Sequence, residues 1–292
     1  MSKPLVSVLI PAHNASSTLE RAVSSALAQD YPCKEIVIVD DASTDATPEI
    51  AQRLARQHQE VRVVSHGTNR QLLETRRTAV LEARGQYVLF LDSDDELLPS
   101  AIASSVEVAE LDDCDIVQFG TEPHYDSEPS PGLRDIYERY FTLPRRSLTG
   151  KELVRAVFIT REVPWTAWGK LYRTELLRET FSRIPTTRLF LAEDACISFI
   201  SSTLSSKYET LPDLKGIRYY MDTGMSGATK LAYTLDEFRE SCTALGACDV
   251  IRRYLIESGQ EAKYEEGCEA LFHSLLLDLA SRAISQVCLC QR

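Results

Sequence analysis

From residue 4 to about residue 120, short apolar runs alternate with amphipathic helical stretches, and this alternation restricts the fold more than any other feature of the chain. "LVSVLI" (5–10) reads as a buried strand. In "SSTLERAVSSALAQ" (16–29), Leu19, Ala22, Val23, Ala26 and Leu27 share one helical face, and Ser17 and Glu20 are spaced as a capping box. "EIVIV" (35–39) predicts a second strand, and Thr47-Pro48 predicts a helix to about Gln57 with proline in its first turn. "VRVV" (61–64) predicts a third strand. A helix from about Arg70 to Ala83 is expected to stop at Arg84-Gly85, because glycine commonly ends helices. "YVLFL" (87–91) and "DIVQF" (115–119) predict two more strands, with a helix from Pro99 between them. Such an order gives an α/β fold, a mostly parallel sheet with helices on both faces. Ligands of these sheets bind outside the carboxyl ends of the strands.

Those ends are where polar residues gather. After "YVLFL" come four acids in five positions: Asp92, Asp94, Asp95 and Glu96, interrupted by Ser93. Neighbouring carboxylates repel and favour water unless a cation offsets them, so packing does not account for the run. Asp40 and Asp41 follow the second strand, and His13 and Asn14 follow the first. Three strand ends delivering polar groups to one rim favour a binding site over ordinary solvated turns.

The chemistry narrows by exclusion. An EF-hand loop would need Gly and Glu where Leu97 and Ala103 stand. Aspartate-nucleophile phosphatases set Thr or Val at the position of Glu96. No G-x-x-x-x-G-K-[ST] or G-x-G-x-x-G phosphate loop occurs. A divalent cation held by one or two carboxylates and completed by phosphate oxygens of a ligand fits the D-x-D run, and Mg²⁺ and Mn²⁺ suit that coordination.

A formal charge of −11 argues against a nucleic-acid partner. No apolar run reaches the roughly 18 residues of a membrane span, and "MSKPLVSVLIPAHN" does not read as a secretion signal. Eight cysteines without a C-x-x-C pair suggest a reduced, cytoplasmic protein in which most cysteines are small core residues. Beyond residue 120 the alternation stops. "EPHYDSEPSPG" (122–132) reads as a boundary or a movable cover, and residues 149–225 mix helix with aromatic-rich stretches. From Tyr233 the chain reads as mostly helical. Its last apolar helix, over 271–290, lacks a cap and suggests a further domain beyond residue 292.

"VSVLIPAHNASSTLERAVSSALAQDYPCKEIVIVDDASTDAT" followed by "TRRTAVLEARGQYVLFLDSDDELLP" resembles glycosyltransferase family 2, inverting sugar-nucleotide-dependent enzymes of the GT-A fold. The similarity is close over about residues 5–100. A looser match continues through "PWTAWGKLYRTELL", "LAEDACISF" and "IRYYMDTGMSG". The resemblance implies a GT-A domain over residues 1–225, with a nucleotide-binding half (1–121) and an acceptor half (122–225), and a helical extension over 226–292.

It also implies roles. Pro11 shapes the turn after the first strand, His13 stands beside the nucleobase where relatives often carry tyrosine, and Asp41 accepts the base ring N–H, which suits uracil. Arg76 lies near the nucleotide, with Arg77 where relatives usually carry asparagine. Asp92 and Ser93 meet the donor, Asp92 at the ribose or a metal-bound water, and Asp94 ligates Mn²⁺ or Mg²⁺. Asp95 either caps the following helix or orients the sugar. Asp194 is the general base that takes the acceptor hydroxyl's proton. Glu193-Asp194 also has the pattern of a cap for "ACISFISSTL".

Other residues are open between two readings. Trp168, with Trp165, is either a sugar-stacking wall or core. Lys170 meets a phosphate or is a solvated charge at a helix start. Tyr219 and Tyr220 line the acceptor side or pack. His66, His124 and His273 read as structural or surface residues. The expected activity is inverting transfer of one sugar from a UDP-sugar to a hydroxyl of a glycan or lipid-linked glycan, in bacterial surface polysaccharide synthesis, at the inner face of the membrane. A sugar-nucleotide pyrophosphorylase, a metal-dependent phosphatase and a non-catalytic relic of the fold are the alternatives.

Overall fold

The computed structural model describes residues 3–129, 131–221 and 234–290. The first half delivers the expected alternation: β1 (Val6–Ala12), α1 (Leu19–Leu27), β2 (Lys34–Asp40), α2 (Thr47–Gln57), β3 (Val61–Ser65), α3 (Gln71–Glu82) and β4 (Tyr87–Phe90). A short strand β5 (Glu96–Leu97) precedes α4 (Ala101–Leu111) and β6 (Ile116–His124). Then come α5 (Pro131–Phe141), β7 (Ser147–Leu148) and α6 (Gly150–Val154), which runs into a π-helical turn at Arg155–Ile159. β8 (Lys170–Arg173), α7 (Thr174–Arg183), α8 (Glu193–Leu204) and β9 (Tyr208–Tyr220) complete the sheet region. The described chain ends in α9 (Leu235–Ser241), α10 (Gly246–Ser258) and α11 (Glu261–Cys290).

The strands form one sheet in the order β3-β2-β1-β4-β8-β6-β9-β5, with β7 also on β9. β3, β2, β1 and β4 are mutually parallel. The other half is mixed, because β8 runs antiparallel to both β4 and β6 while β6 and β9 are parallel. Every residue of β1 is buried, as expected of a central strand covered on both faces. Its pairing with β4 ends at Leu9, so Pro11 lies where no partner on that side asks for an N–H.

Local details depart from the sequence reading. The Ser17–Glu20 capping box does not form: α1 begins at Leu19 without a side-chain cap, and the Glu20 carboxylate pairs with Arg53 of α2 at 2.7 Å. Gly85 does not end α3 in a left-handed turn. The backbone is already extended at Ala83, and a Cβ at Gly85 would come 2.7 Å from the Leu5 carbonyl oxygen, so close approach to β1 explains the glycine. The segment expected as a loop at 122–132 is irregular over 125–129, but its ends belong to β6, which runs to His124, and to α5, which begins at Pro131.

The C-terminal helices pack onto α8. A Cβ at Gly267 of α11 would lie 2.7 Å from Val154 Cγ1 and 3.4 Å from Phe199 of α8. The Tyr254 hydroxyl of α10 meets Thr203 of α8 at 2.8 Å. Cys114, Cys196, Cys248 and Cys268 are buried without disulfides, as core residues. The boundary expected at 225/226 lies outside the described residues.

Candidate active site

The carboxyl ends of β1, β2 and β4 open into a cleft of about 590 Å³. Pro11, His13, Asp41, Arg76, Asp92 and Ser93, together with Asp94, line one side of it. Trp168, Glu193 and Asp194, from more than seventy residues further along the chain, also line it. Of seven non-glycine residues with left-handed backbone among those described, Asn14, Ala42, Gln71 and Ala192 all adjoin this cleft. Backbone strain of this kind gathers where surrounding structure holds a site in shape.

Asp41 supplies one such restraint. Its Oδ1 accepts the Arg70 N–H at 2.8 Å and faces His66 Nδ1 at 2.7 Å, and its Oδ2 accepts the Gln71 N–H at 2.9 Å. It therefore holds the start of α3, including the left-handed Gln71, while still lining the cleft. His66 is buried and also contacts Thr78 Oγ1 at 2.9 Å, which fits its structural reading. His13 Nδ1 lies 2.9 Å from the Asp41 carbonyl oxygen.

Arg76 is the centre of the site, only 1% exposed on α3. One terminal nitrogen donates to Glu193 at 3.2 Å and to Asp194, and the other donates to Asp92 at 2.9 Å. Burial opposes its charge, but Asp194, Asp92 and Glu193 outweigh that penalty and raise its hold on the proton. Within the acidic rim, Asp92 thus finds a cation supplied by the protein itself. Burial and the neighbouring Asp194 charge, opposed by Arg76, push the Glu193 carboxyl up to about 7. Asp194 Oδ2 accepts the Ala167 N–H at 3.1 Å, joining the loop before β8 to the same cluster. Glu193 and Asp194 do not cap α8 by side chain, since the cap position is Ala192 and makes no such bond.

Two expected ligand contacts are corrected. Asp95 is buried and does not line the cleft. Its Oδ1 accepts the Tyr220 N–H at 2.9 Å, and Oδ2 has no hydrogen-bond partner. Burial, then the charges of Asp94 and Asp92, raise its carboxyl well above the usual range. Neither does it cap α4, which begins at Ala101. Lys170 is also buried and absent from the lining. Its ammonium donates to the Pro164 carbonyl at 3.2 Å and to that of Thr166, clamping the loop that carries Trp168. Burial lowers its pKa to about 7, against the pull of Asp194. Trp168 stacks on Tyr219 with ring centroids 4.9 Å apart, whereas Trp165 packs against Phe158.

Arg21 escaped sequence reasoning. From α1 it donates to the Asp94 carbonyl and lies 3.6 Å over the Tyr220 ring, tying the acidic loop to the end of β9. Nothing in its local pattern marks it, because its partners lie more than seventy residues away. Among the described residues no cluster of three or more metal-ligating side chains exists. Asp92 and Asp94 offer only one or two carboxylates, the donor set expected where a ligand's phosphates and water complete the shell of Mg²⁺ or Mn²⁺.

A parallel half ending in an acidic rim, completed by a mixed half that carries a carboxylate to the same cleft, is the GT-A arrangement of glycosyltransferases. The chain belongs to glycosyltransferase family 2: the family model, glycosyl transferase family 2, matches residues 7–181. The uncharacterized glycosyltransferase EpsJ of Bacillus subtilis is 32% identical over 173 residues, covering 59% of this chain and 49% of EpsJ. The putative teichuronic acid biosynthesis glycosyltransferase TuaG of the same organism is 40% identical over 105 residues, covering 36% of this chain and 42% of TuaG. The chain spans about half the length, or less, of these curated relatives. In fold it is similar to residues 1–349 of S. aureus TarS in complex with UDP-GlcNAc, with a TM-score of 0.65 and 22% identity over 84% of this chain and 66% of that one.

Proposed function

We propose that the protein transfers one sugar from a UDP-sugar to a glycan hydroxyl with inversion, with a divalent cation at the D-x-D loop. The observation that carries this reading is the convergence of Asp41, Asp92 and Asp94 with Asp194 around one cleft, although Asp194 comes from the far half of the chain. Asp41 is positioned to read the base, Asp92 and Ser93 to meet the donor, and Asp94 to ligate the cation. When bound, Mn²⁺ or Mg²⁺ would carry the charge developing on the departing diphosphate, so no separate acid is needed. Asp194 takes the acceptor proton as the hydroxyl oxygen bonds to the anomeric carbon and the bond to the diphosphate breaks on the opposite face. Arg76 and the Ala167 N–H fix the orientation of that carboxylate.

The names of relatives support a place in bacterial polysaccharide synthesis: TuaG is described for teichuronic acid, and a 34% identical Rhizobium meliloti protein for succinoglycan. Among the described residues no helix is long and apolar enough to cross a membrane, and we place the work at the cytoplasmic face. Division into a GT-A domain and a helical extension near residue 225 belongs to the same proposal. The test is UDP release from a panel of sugar nucleotides, with Mn²⁺ and with EDTA. Release from at least one donor, abolished by EDTA, is expected. No release from any UDP-sugar, or release from a GDP-sugar alone, would overturn the donor assignment.

A further inference from the structure

Three polar residues spaced by four, Arg21, Ser25 and Gln29, run along α1 and into the turn after it. All three bond to the main chain of the acidic segment or of the residues just beyond it. Arg21 donates to the Asp94 carbonyl oxygen. Ser25 Oγ accepts the Leu97 N–H at 2.9 Å. Gln29 donates to the Leu98 carbonyl at 2.8 Å and accepts the Ile102 N–H at 3.2 Å. A spacing of four keeps Arg21 and Ser25 on one helical face, so α1 meets successive parts of a segment whose own regular structure is only the two residues of β5. On its other side that segment pairs with β9 through Glu96 and Leu97.

Arg21 is the contact that falls on Asp94 itself. Its guanidinium is fixed flat, 3.6 Å over the Tyr220 ring. Tyr220 in turn is bonded to the two acids that follow Asp94: its N–H reaches Asp95 Oδ1 at 2.9 Å and its hydroxyl reaches Glu96 Oε2 at 2.7 Å. The Nε of Arg21 is buried without a hydrogen-bond partner. A buried unpaired N–H costs stability, so stability alone does not favour an arginine in this place.

Two effects of opposite sign reach a cation at Asp94. The positive charge of Arg21 repels it. The bond to the Asp94 carbonyl instead holds the segment still, and Mg²⁺ and Mn²⁺ demand near-ideal ligand geometry. Outer-shell bonds that orient a ligand are typically worth about 10- to 100-fold in metal affinity. We propose that Arg21 is a positioning residue for cation binding: by fixing the main chain of Asp94 against α1 it holds that carboxylate ready for Mn²⁺ or Mg²⁺, and this outweighs the repulsion of its own charge. The assignment rests on the reading of Asp94 as a cation ligand.

Calorimetry of UDP with and without Mn²⁺ tests it in wild type, Arg21→Met, Arg21→Lys and Ser25→Ala, together with amide hydrogen exchange over residues 92–98. Arg21→Met should reduce the Mn²⁺-dependent gain in UDP affinity about 10- to 100-fold, with UDP alone bound as in wild type. Exchange over 92–98 should quicken while β1 and β2 keep their protection. Arg21→Lys should keep part of the gain, since an ammonium can still donate to the carbonyl but cannot lie flat on the ring. Ser25→Ala, a smaller change, should shift both readouts in the same direction and carries the test if Arg21→Met does not fold. Tighter Mn²⁺-dependent binding in Arg21→Met would mean that charge prevails, and would overturn the proposal. So would an intact gain, or exchange that quickens across the whole sheet while the gain persists, since either makes Arg21 a structural residue only. Wild type binding UDP equally with and without Mn²⁺ would overturn the cation reading and this one with it, whereas a wild-type gain that survives in Arg21→Met would overturn this one alone.

Discussion

At the scale of single residues, the candidate base separates catalysis from binding. Asp194→Asn should leave UDP affinity within a few-fold of wild type and reduce transfer about 10²- to 10⁴-fold, the usual value of a general base. Some loss of melting temperature is also expected, because Asp194 is one of three carboxylates around the buried Arg76. Retained transfer in this variant, with loss in Glu193→Gln, would move the role to Glu193. A pH profile gives a second readout. Since the Glu193 carboxyl lies at about 7, transfer through it would appear only as pH rises through 7.

Asp41→Asn has a double effect for a reason visible only in the fold. It replaces an oxygen that accepts from backbone with an amide that donates, at a site receiving the Arg70 and Gln71 N–H groups. Leaving a buried polar group unpaired is worth about 1–3 kcal/mol, so UDP affinity should fall roughly 5- to 150-fold and stability should fall by a similar energy. Calorimetry with UDP and denaturant unfolding check the two parts.

At the scale of elements, the Trp168 loop and the α8–α11 packing make distinct predictions. Lys170 clamps the loop with a pKa of about 7, depressed by burial from 10.5. Between those values the folded lysine is neutral while the unfolded one is protonated. The unfolded state therefore holds the extra proton, and stability rises with pH across that window. Measured by denaturant unfolding at pH 7.5, 8.5 and 9.5, wild type should gain on Lys170→Met by up to about 1.4 kcal/mol per pH unit. A flat difference would mean that the ammonium stays charged in the fold. Gly267→Val would drive a Cβ to within 2.7 Å of Val154 Cγ1. Overpacking of that kind destabilises by about 1–3 kcal/mol. Transfer should weaken with it, because α11 supports the helix that begins with Glu193 and Asp194.

At the scale of the whole molecule, the proposed function asks a chain of net charge −11 to receive an anionic diphosphate in an acidic cleft. Thermal melts should therefore respond little to UDP alone and more to UDP with Mn²⁺. At about a hundredfold excess over Kd, ligand binding adds about 2.7 kcal/mol, or roughly 5 °C for a domain of this size. Asp94→Ala should erase the Mn²⁺-dependent part of the shift while keeping the unliganded melting temperature. Equal shifts with and without Mn²⁺ would remove the metal role from Asp94.

The parallel half was legible because each of its segments states its own structure. An apolar run of strand length, a helical stripe and a proline in a first turn are local signals, and β1 to β4 with their helices lie within a few residues of where those signals place them. The acidic rim was legible for the same reason: a parallel sheet sends every strand's carboxyl end to one side, so Asp41, Asp92 and Asp94 reach the cleft by topology alone. What surrounds them depended on long-range packing. Arg76 holds three carboxylates up to 118 positions away, and no spacing rule links such residues. Asp95 and Lys170 looked like site residues because their types are polar. Burial decided otherwise, turning one toward the Tyr220 N–H and the other onto two carbonyl oxygens. The sequence by itself determined the order of the elements in the parallel half, the family and the acidic rim. Only the tertiary structure decided which of those charges are paired inside the protein, because pairing depends on distances that close when remote segments pack.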